Sequence, residues 1–403
     1  MKTLTTNEKV ILIILSCINF THILDFMIMM PLGAYLMPYF QISPFQFSLL
    51  VSAYTISAAV SGFAAAFFVD HFDRKQILIY AYGLFLVGSI ACGIAPNYYA
   101  LFGARVFAGV FGGLIGAQVV SIVSDTFSYE RRGVAMGAIM SAFSLASTLG
   151  MPFALQLANV ISWHAPFLLV GFLGIILIPL IHFYLPSMRA HIKEEGESPE
   201  RKIQVLLHVI QSPTQYKAIL FTFLMMLGHF LVIPFINPFM QNNVGYSKEF
   251  TPLIYLVGGV ASFFSSNFLG KLADKYGKMR IFTICVFSAL PMIVLLTNMP
   301  ANNHYILVLT LFGLWFSASS GRGVTGSAMV TNVVSPEHRG SFQSFNSSMQ
   351  QLGTGLASLI AGLIVTKDAI SGKIINYDIV GYMSIVILLI CVYIARIVPF
   401  KNQ

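Results

Sequence analysis

Runs of about 20 mostly apolar residues follow one another from the N-terminal end of the chain to its C-terminal end. A helix of 20 residues is about 30 Å long, the thickness of the hydrocarbon core of a bilayer. In lipid a backbone N–H or C=O has no water to bond, so a run of this length is expected as a helix, which satisfies its own backbone. The runs fall at roughly 10–36, 46–69, 76–95, 98–124, 134–158 and 163–185, then at 216–240, 250–270, 281–299, 305–333, 341–366 and 379–398. Composition supports lipid as the solvent. Only 9% of the 403 residues are charged and 57% are hydrophobic, against about 25% charged in a soluble domain. The first run is too long for a cleaved signal, contains Asp25 and lacks a small-residue cleavage site, so it is expected to remain as a first helix.

The longest polar interval, 186–215, splits the runs into two sets of six. The expected domains are a six-helix bundle over 1–185, a cytoplasmic linker over 186–215, whose part from Ser198 to Ile210 could form a short surface helix, and a second bundle over 216–403. The net charge of +8 does not point to nucleic acid, because the basic residues gather in alternate loops. The termini, linker and even-numbered loops carry nearly all the Lys and Arg; the opposite loops carry only Lys248, Lys367 and Lys373. Basic loops stay inside, so both termini are expected in the cytoplasm, as an even span count requires. Cys17, Cys92, Cys285 and Cys391 lie inside apolar runs without metal or redox spacing and read as small core residues.

Two short motifs recur half a chain apart. Asp70, Arg74 and Lys75 follow the second run; Gly270, Asp274, Lys275, Gly277 and Lys278 follow the eighth. Glu130-Arg131-Arg132-Gly133 after the fourth run is matched by Glu337-His338-Arg339-Gly340 after the tenth. Duplicated halves of this kind place a substrate site between them near the bilayer midplane.

The loop motif Gly270-x-x-x-Asp274-Lys275-x-Gly277-Lys278 resembles the signature of the major facilitator superfamily. Its first-half copy is degraded, with Ala66, His71 and Asp73 at the leading Gly, basic and inner Gly positions. Arg105 and Gly109 are similar to the family's fourth-span motif, Gly150-Met151-Pro152 echoes its fifth-span motif, and Leu24 to Gly33 looks like the first span of bacterial twelve-helix drug/proton antiporters and arabinose-efflux-type permeases. The resemblance implies an all-α membrane protein of twelve transmembrane helices in two pseudo-symmetric halves, in a bacterial inner membrane. It implies that Asp70, Arg74, Lys75, Gly270, Asp274, Lys275, Gly277 and Lys278, with Asp125 as a further member, latch the halves in the outward-facing state, the carboxylates pairing with Arg74 or Lys278. Plain helix termination and membrane orientation are the simpler account of the same residues.

Among ionisable groups well inside the runs, Asp25, Arg105 and Arg322 stand out, and each is costly there unless paired or wetted. Asp25 lies about 11 residues, roughly 16 Å, from the far end of its run, and Arg105 about 7 residues, roughly 10 Å. Since the resemblance makes the first and fourth spans neighbours, an Asp25–Arg105 pair is expected, with Asp25 carrying a coupling proton; a static ion pair is the alternative. Arg322 has no acid partner within the second half's runs, so water, an amide such as Asn237, Asn346 or Gln350, or a substrate must meet it. His22, Tyr54, Gln118, Gln156 and His229 are further cavity candidates, although such residues more often bond neighbouring helices.

The expected function is proton-coupled efflux of a small organic solute or drug by alternating access. Uptake or facilitated diffusion of a metabolite is the alternative, a non-transporting sensor a distant one. With no GxxxxGK(S/T) phosphate loop, ATP drive within this chain is not expected. No enzymatic role, cofactor or metal is expected; the partners are the solute, protons and lipid, and the chain is expected as a monomer.

Overall fold

A computed structural model describes residues 5–127, 129–189, 211–331, 333 and 339–398. The described chain is almost entirely helical. Among the described residues, eleven helical segments are long and apolar enough to cross a membrane. A twelfth, Arg339–Ile364, matches them in length but is rich in Ser, Asn, Gln and Gly. It packs along the second span, Pro44–Phe68, across the boundary between the halves. Ser358 Oγ there donates to the carbonyl of Ser48 at 3.3 Å, and a Cβ on Gly362 would lie against the Ser48 side chain. The span is polar because it faces protein rather than lipid.

The first and seventh spans are broken, where the sequence predicts continuous helices. The first runs Thr6–Met29 and resumes at Gly33–Phe40; the seventh runs Pro213–Phe230, resumes at Ile233–Phe239 and ends in a π-helical turn at Met240–Val244. Pro31 lies in one break and Pro234 just after the other. Proline lacks an N–H and clashes with the preceding turn, so carbonyls are freed at each break. They do not stay free. Asn237 Nδ2 donates to the Pro31 carbonyl across the halves, and the Tyr377 hydroxyl donates to the Val232 carbonyl at 2.8 Å. The fifth span (Tyr129–Leu145, Met151–Val160) carries a π-helical turn at Ala146–Gly150. There the eighth span, Thr251–Tyr276, comes so near that a Cβ on Gly259 would lie 2.4 Å from the Thr148 Cα.

The remaining spans are Arg74–Gly93, Tyr98–Thr126, Ala165–Tyr184, Lys278–Thr297, Tyr305–Thr331 and Tyr377–Ile397. A two-residue antiparallel ladder pairs Thr366 with Ile375 and Lys367 with Ile374 before the last of them. The Asn243 amide clamps it, donating to the Ile374 carbonyl and accepting its N–H, both at 2.8 Å. The proposed surface helix over 198–210 lies outside the described residues.

The halves meet most closely at the end opposite the termini. Besides the Asn237 and Ser358 bonds, Asn159 Nδ2 donates to the Lys248 carbonyl at 2.9 Å, and the Lys248 ammonium sits 5.6 Å from the Tyr35 ring. Nearer the other end the eighth span exposes Phe263, Phe264 and Phe268.

Candidate functional site

Asp25 and Arg105 form an ion pair in the middle of the N-terminal half, both side chains fully shielded from solvent. Arg105 Nη1 donates to Asp25 Oδ2 at 2.8 Å. The other carboxylate oxygen accepts from the Ser89 hydroxyl at 2.6 Å, so the first, third and fourth spans converge on one carboxylate. Helix packing makes this possible. A Cβ on Gly109, one turn after Arg105, would lie 2.3 Å from the Tyr54 carbonyl, so only glycine lets the fourth span press its backbone against the second. Tyr54 then lies under the guanidinium, with Arg105 Cζ 4.3 Å from its ring centroid.

The pair is not saturated. Among the described residues, Arg105 Nε and Nη2, the Tyr54 hydroxyl and both amide atoms of Gln118 have no hydrogen-bond partner. His22 packs edge-on to Phe85 at 5.6 Å. Buried polar atoms without partners are uncommon in natural proteins and mark a place where water or a ligand is expected.

The C-terminal half holds a different centre. Arg322, in the tenth span, is buried, and its Nη2 donates to His229 Nδ1 at 2.9 Å. The partner is thus a histidine of the seventh span rather than one of the three expected amides. Among the described residues, Arg322 Nη1 and the Trp315 indole Nε1 have no hydrogen-bond partner, and the Trp315 ring lies 5.6 Å from His229. No carboxylate pairs with Arg322 among the described residues.

Aromatic rings join the two centres. Tyr54 stacks on Phe26 at 6.0 Å, Phe26 meets Phe230 across the halves at 6.0 Å, and Phe230 contacts His229 at 5.1 Å. Phe26, His229 and Phe230 are half-buried.

The other candidates are scattered. Asn237 is committed to the Pro31 carbonyl and to Gln241, which donates to its Oδ1 at 2.8 Å. Asn346 is buried with Oδ1 unpartnered. Gln350 is half-buried and Gln156 exposed.

Of the expected latch, Arg74 pairs with Asp125 at 2.5 Å, while the Asp70 side chain lies outside the described residues. Lys75 Nζ donates to the His182 carbonyl at 2.7 Å. Asp274 is exposed and, contrary to expectation, makes no ion pair with Lys278 among the described residues. Lys275 sits 5.0 Å from the Tyr276 ring, and Gly270 meets Val324. Gly277 turns the chain between the eighth and ninth spans at φ +97°, a conformation that a side chain resists. Asp73, its first-half counterpart, sits at φ −60° and needs no glycine.

Sequence reasoning treated Asp73 as motif decay. Its carboxylate instead accepts from the Lys75 and Met188 N–H groups at 2.9 and 3.1 Å, from the Ser187 hydroxyl, and from Arg189 Nε at 3.3 Å. It caps the third span and fastens the chain that leaves the sixth. Burial pushes its carboxyl up, but these hydrogen bonds outweigh that and hold it below the ordinary value. Ser89 was missed as well. An Asp just before an apolar run is a readable N-cap signal, which fits Asp73; nothing in the sequence marks Ser89.

A model of the Major Facilitator Superfamily matches residues 15–325 and 219–402. The chain is 24% identical to an MFS-type transporter of Bacillus subtilis, YbcL, over 88% of this chain and 86% of that one. It is 26% identical to the inner membrane transport protein YdhP of Escherichia coli, over 84% and 83%. It is 20% identical to a probable sugar efflux transporter of Helicobacter pylori, over 88% and 86%. In structure it is similar to a bacterial homologue of the human lysosomal transporter Spinster in an inward-facing, unoccupied conformation, with a TM-score of 0.75, 15% identity and 98% of each chain covered. It is also similar to the nucleoside transporter NupG, with a TM-score of 0.71, 14% identity and 96% and 100% covered.

Proposed function

The chain belongs to the major facilitator superfamily, and from that footing we propose that it exports a small organic solute in exchange for protons, with Asp25 carrying the proton. The observation that supports this most is the shielded Asp25–Arg105 pair with its unsatisfied neighbours. The guanidinium is the counter-charge of the buried carboxylate, bonded to it at 2.8 Å. A proton on Asp25 dissolves the pair, and a guanidinium already short of partners must then turn to water, solute or another arrangement of the first and fourth spans. Proton occupancy and helix geometry are thereby linked. The export direction leans on relatives such as the Helicobacter protein, which is named a sugar efflux transporter.

In this reading the bundles 1–185 and 216–403 rock as units about the linker 186–215, and the chain works as a monomer in a bacterial inner membrane with both termini in the cytoplasm. The end closed by Asn237, Asn159 and Ser358 then faces the periplasm. Arg74, Lys75 and Asp125, with Asp70, and the second-half set Gly270, Asp274, Lys275, Gly277 and Lys278 act in the opposite state, when the cytoplasmic end closes. His22, Tyr54, Gln118, His229, Arg322, Asn346 and Gln350 line the solute's path; Gln156 and Asn237 are more peripheral.

One observation favours uptake together with a proton instead. Arg322 leaves the cavity cationic, and protonating Asp25 makes it more so, which would bind an anion and a proton together rather than in competition. Purified chain in proteoliposomes separates the two, using L-arabinose, benzoate and tetraphenylphosphonium as probes. Exchange accumulates a probe only when the lumen is acid, and co-transport only when the outside is acid. Equal accumulation regardless of the gradient for every probe would remove proton coupling.

A further inference from the structure

We propose that the space beside Phe26 and Phe230 takes a solute with an aromatic body and a single anionic group, and that Arg322 anchors the anion. This rests on the transporter reading of the same cavity and names the class of its solute.

Arg322 Nη2 donates to His229 Nδ1. A guanidinium can only donate, so Nδ1 is the accepting nitrogen and the imidazole proton sits on Nε2. His229 therefore presents an N–H as well. With the unpartnered Arg322 Nη1 and Trp315 Nε1, the centre offers three N–H donors and a positive charge, and no carboxylate pairs with that charge among the described residues. An ammonium is repelled by such a set. A neutral sugar, whose hydroxyls must donate as well as accept, leaves its own donors unmet there. A carboxylate or similar oxyanion meets all three.

The number of charges follows from the other half. Asp25 neutralises Arg105, so one positive charge is left in the cavity and a monoanion balances it. The body of the solute follows from the rings. Phe26 and Phe230 meet at 6.0 Å and 53°, each half-buried, with Tyr54 behind one and His229 and Trp315 behind the other. A flat ring entering beside this pair gains offset or edge contacts on both sides, and its anionic end falls toward His229 and Arg322.

The test is equilibrium binding read from Trp315. The chain has two tryptophans; Trp163 stacks on His164 outside the cavity, and Trp163→Phe leaves Trp315 as the only reporter. Quenching is titrated at pH 7 with 4-tert-butylbenzoate, 4-tert-butylbenzamide, 4-tert-butylbenzylamine, decanoate and L-arabinose. The benzoate should bind about tenfold or more tightly than the amide, the amine and the sugar, as one charge-assisted hydrogen bond to a buried cation warrants. Decanoate should bind more weakly than the benzoate. Arg322→Gln should bring benzoate and amide to about the same affinity, and Arg322→Lys should keep their order. No binding by either anion, a tighter amine or sugar, or a preference that survives Arg322→Gln overturns the proposal; decanoate binding better than the benzoate overturns its aromatic part. The order within the panel at native Arg322 needs only the Trp163→Phe chain, which leaves every residue of the site unchanged. Binding is read without transport, so anion binding in a chain that moves no protons keeps this inference and removes the coupling reading.

Discussion

Removing a carboxylate and a guanidinium from water costs several kcal/mol per ion, which their mutual attraction returns only when the geometry is good. Asp25 and Arg105 meet that condition at 2.8 Å, with Ser89 on the second oxygen. Losing one partner is therefore worse than losing both. Arg105→Gln should destabilise the detergent-solubilised protein by about 3 kcal/mol, and adding Asp25→Asn should recover a large part of it, read from thermal unfolding midpoints. Equal midpoints for the single and double variants would mean that the pair holds no structural energy. Asp25 and Arg105 were legible in the sequence because ionisable residues inside apolar runs are rare. Their pairing was legible too, but Ser89 beside Asp25 and His229 beside Arg322 were not. Ser89 is 64 residues from Asp25 and His229 is 93 from Arg322, and serine and histidine inside an apolar run more often bond a neighbouring helix than serve a charge.

At the scale of elements, hydropathy located the spans but not their breaks. Pro31 and Pro234 were visible, yet a proline in a membrane helix is tolerated wherever neighbours take up the freed carbonyls, and those neighbours, Asn237 and Tyr377, belong to other elements. The duplicated loop shows how one motif position can be filled in two ways. Gly277 needs its glycine for φ +97°, so Gly277→Ala should cost about 1 kcal/mol or more. Asp73 needs its carboxylate, so restoring the motif with Asp73→Gly should destabilise rather than stabilise, by a few tenths of a kcal/mol from the cap and about 1 kcal/mol more from the lost bonds to Ser187 and Met188. The sign with pH follows from a carboxyl held below its ordinary value. Its contribution is fully present above the ordinary carboxylate pKa and is lost as pH falls through the lowered one. Unfolding midpoints of wild type and Asp73→Asn should differ at pH 7 and converge on acidification; a constant gap would contradict the assignment.

At the scale of the molecule, a fold of twelve spans in two halves could be anticipated from apolar runs and one repeat. The eleventh span is the instructive case. Its sequence is too polar to read as lipid-facing, and it is buried against the second span of the other half. The ring ladder from Arg105 to Arg322 was not legible, because it is assembled from the first, second and seventh spans, whose aromatic residues look in sequence like any lipid-facing ones. The account's central claim is that the charge at Asp25 couples proton movement to solute movement. The most direct test follows a pH-sensitive dye in energised everted membrane vesicles while the tert-butylbenzoate and arabinose probes are added. We predict that a probe dissipates the gradient in wild-type vesicles and leaves it intact in Asp25→Asn vesicles carrying the same amount of protein. Equal dissipation in both would contradict the account, since the proton would then be carried elsewhere.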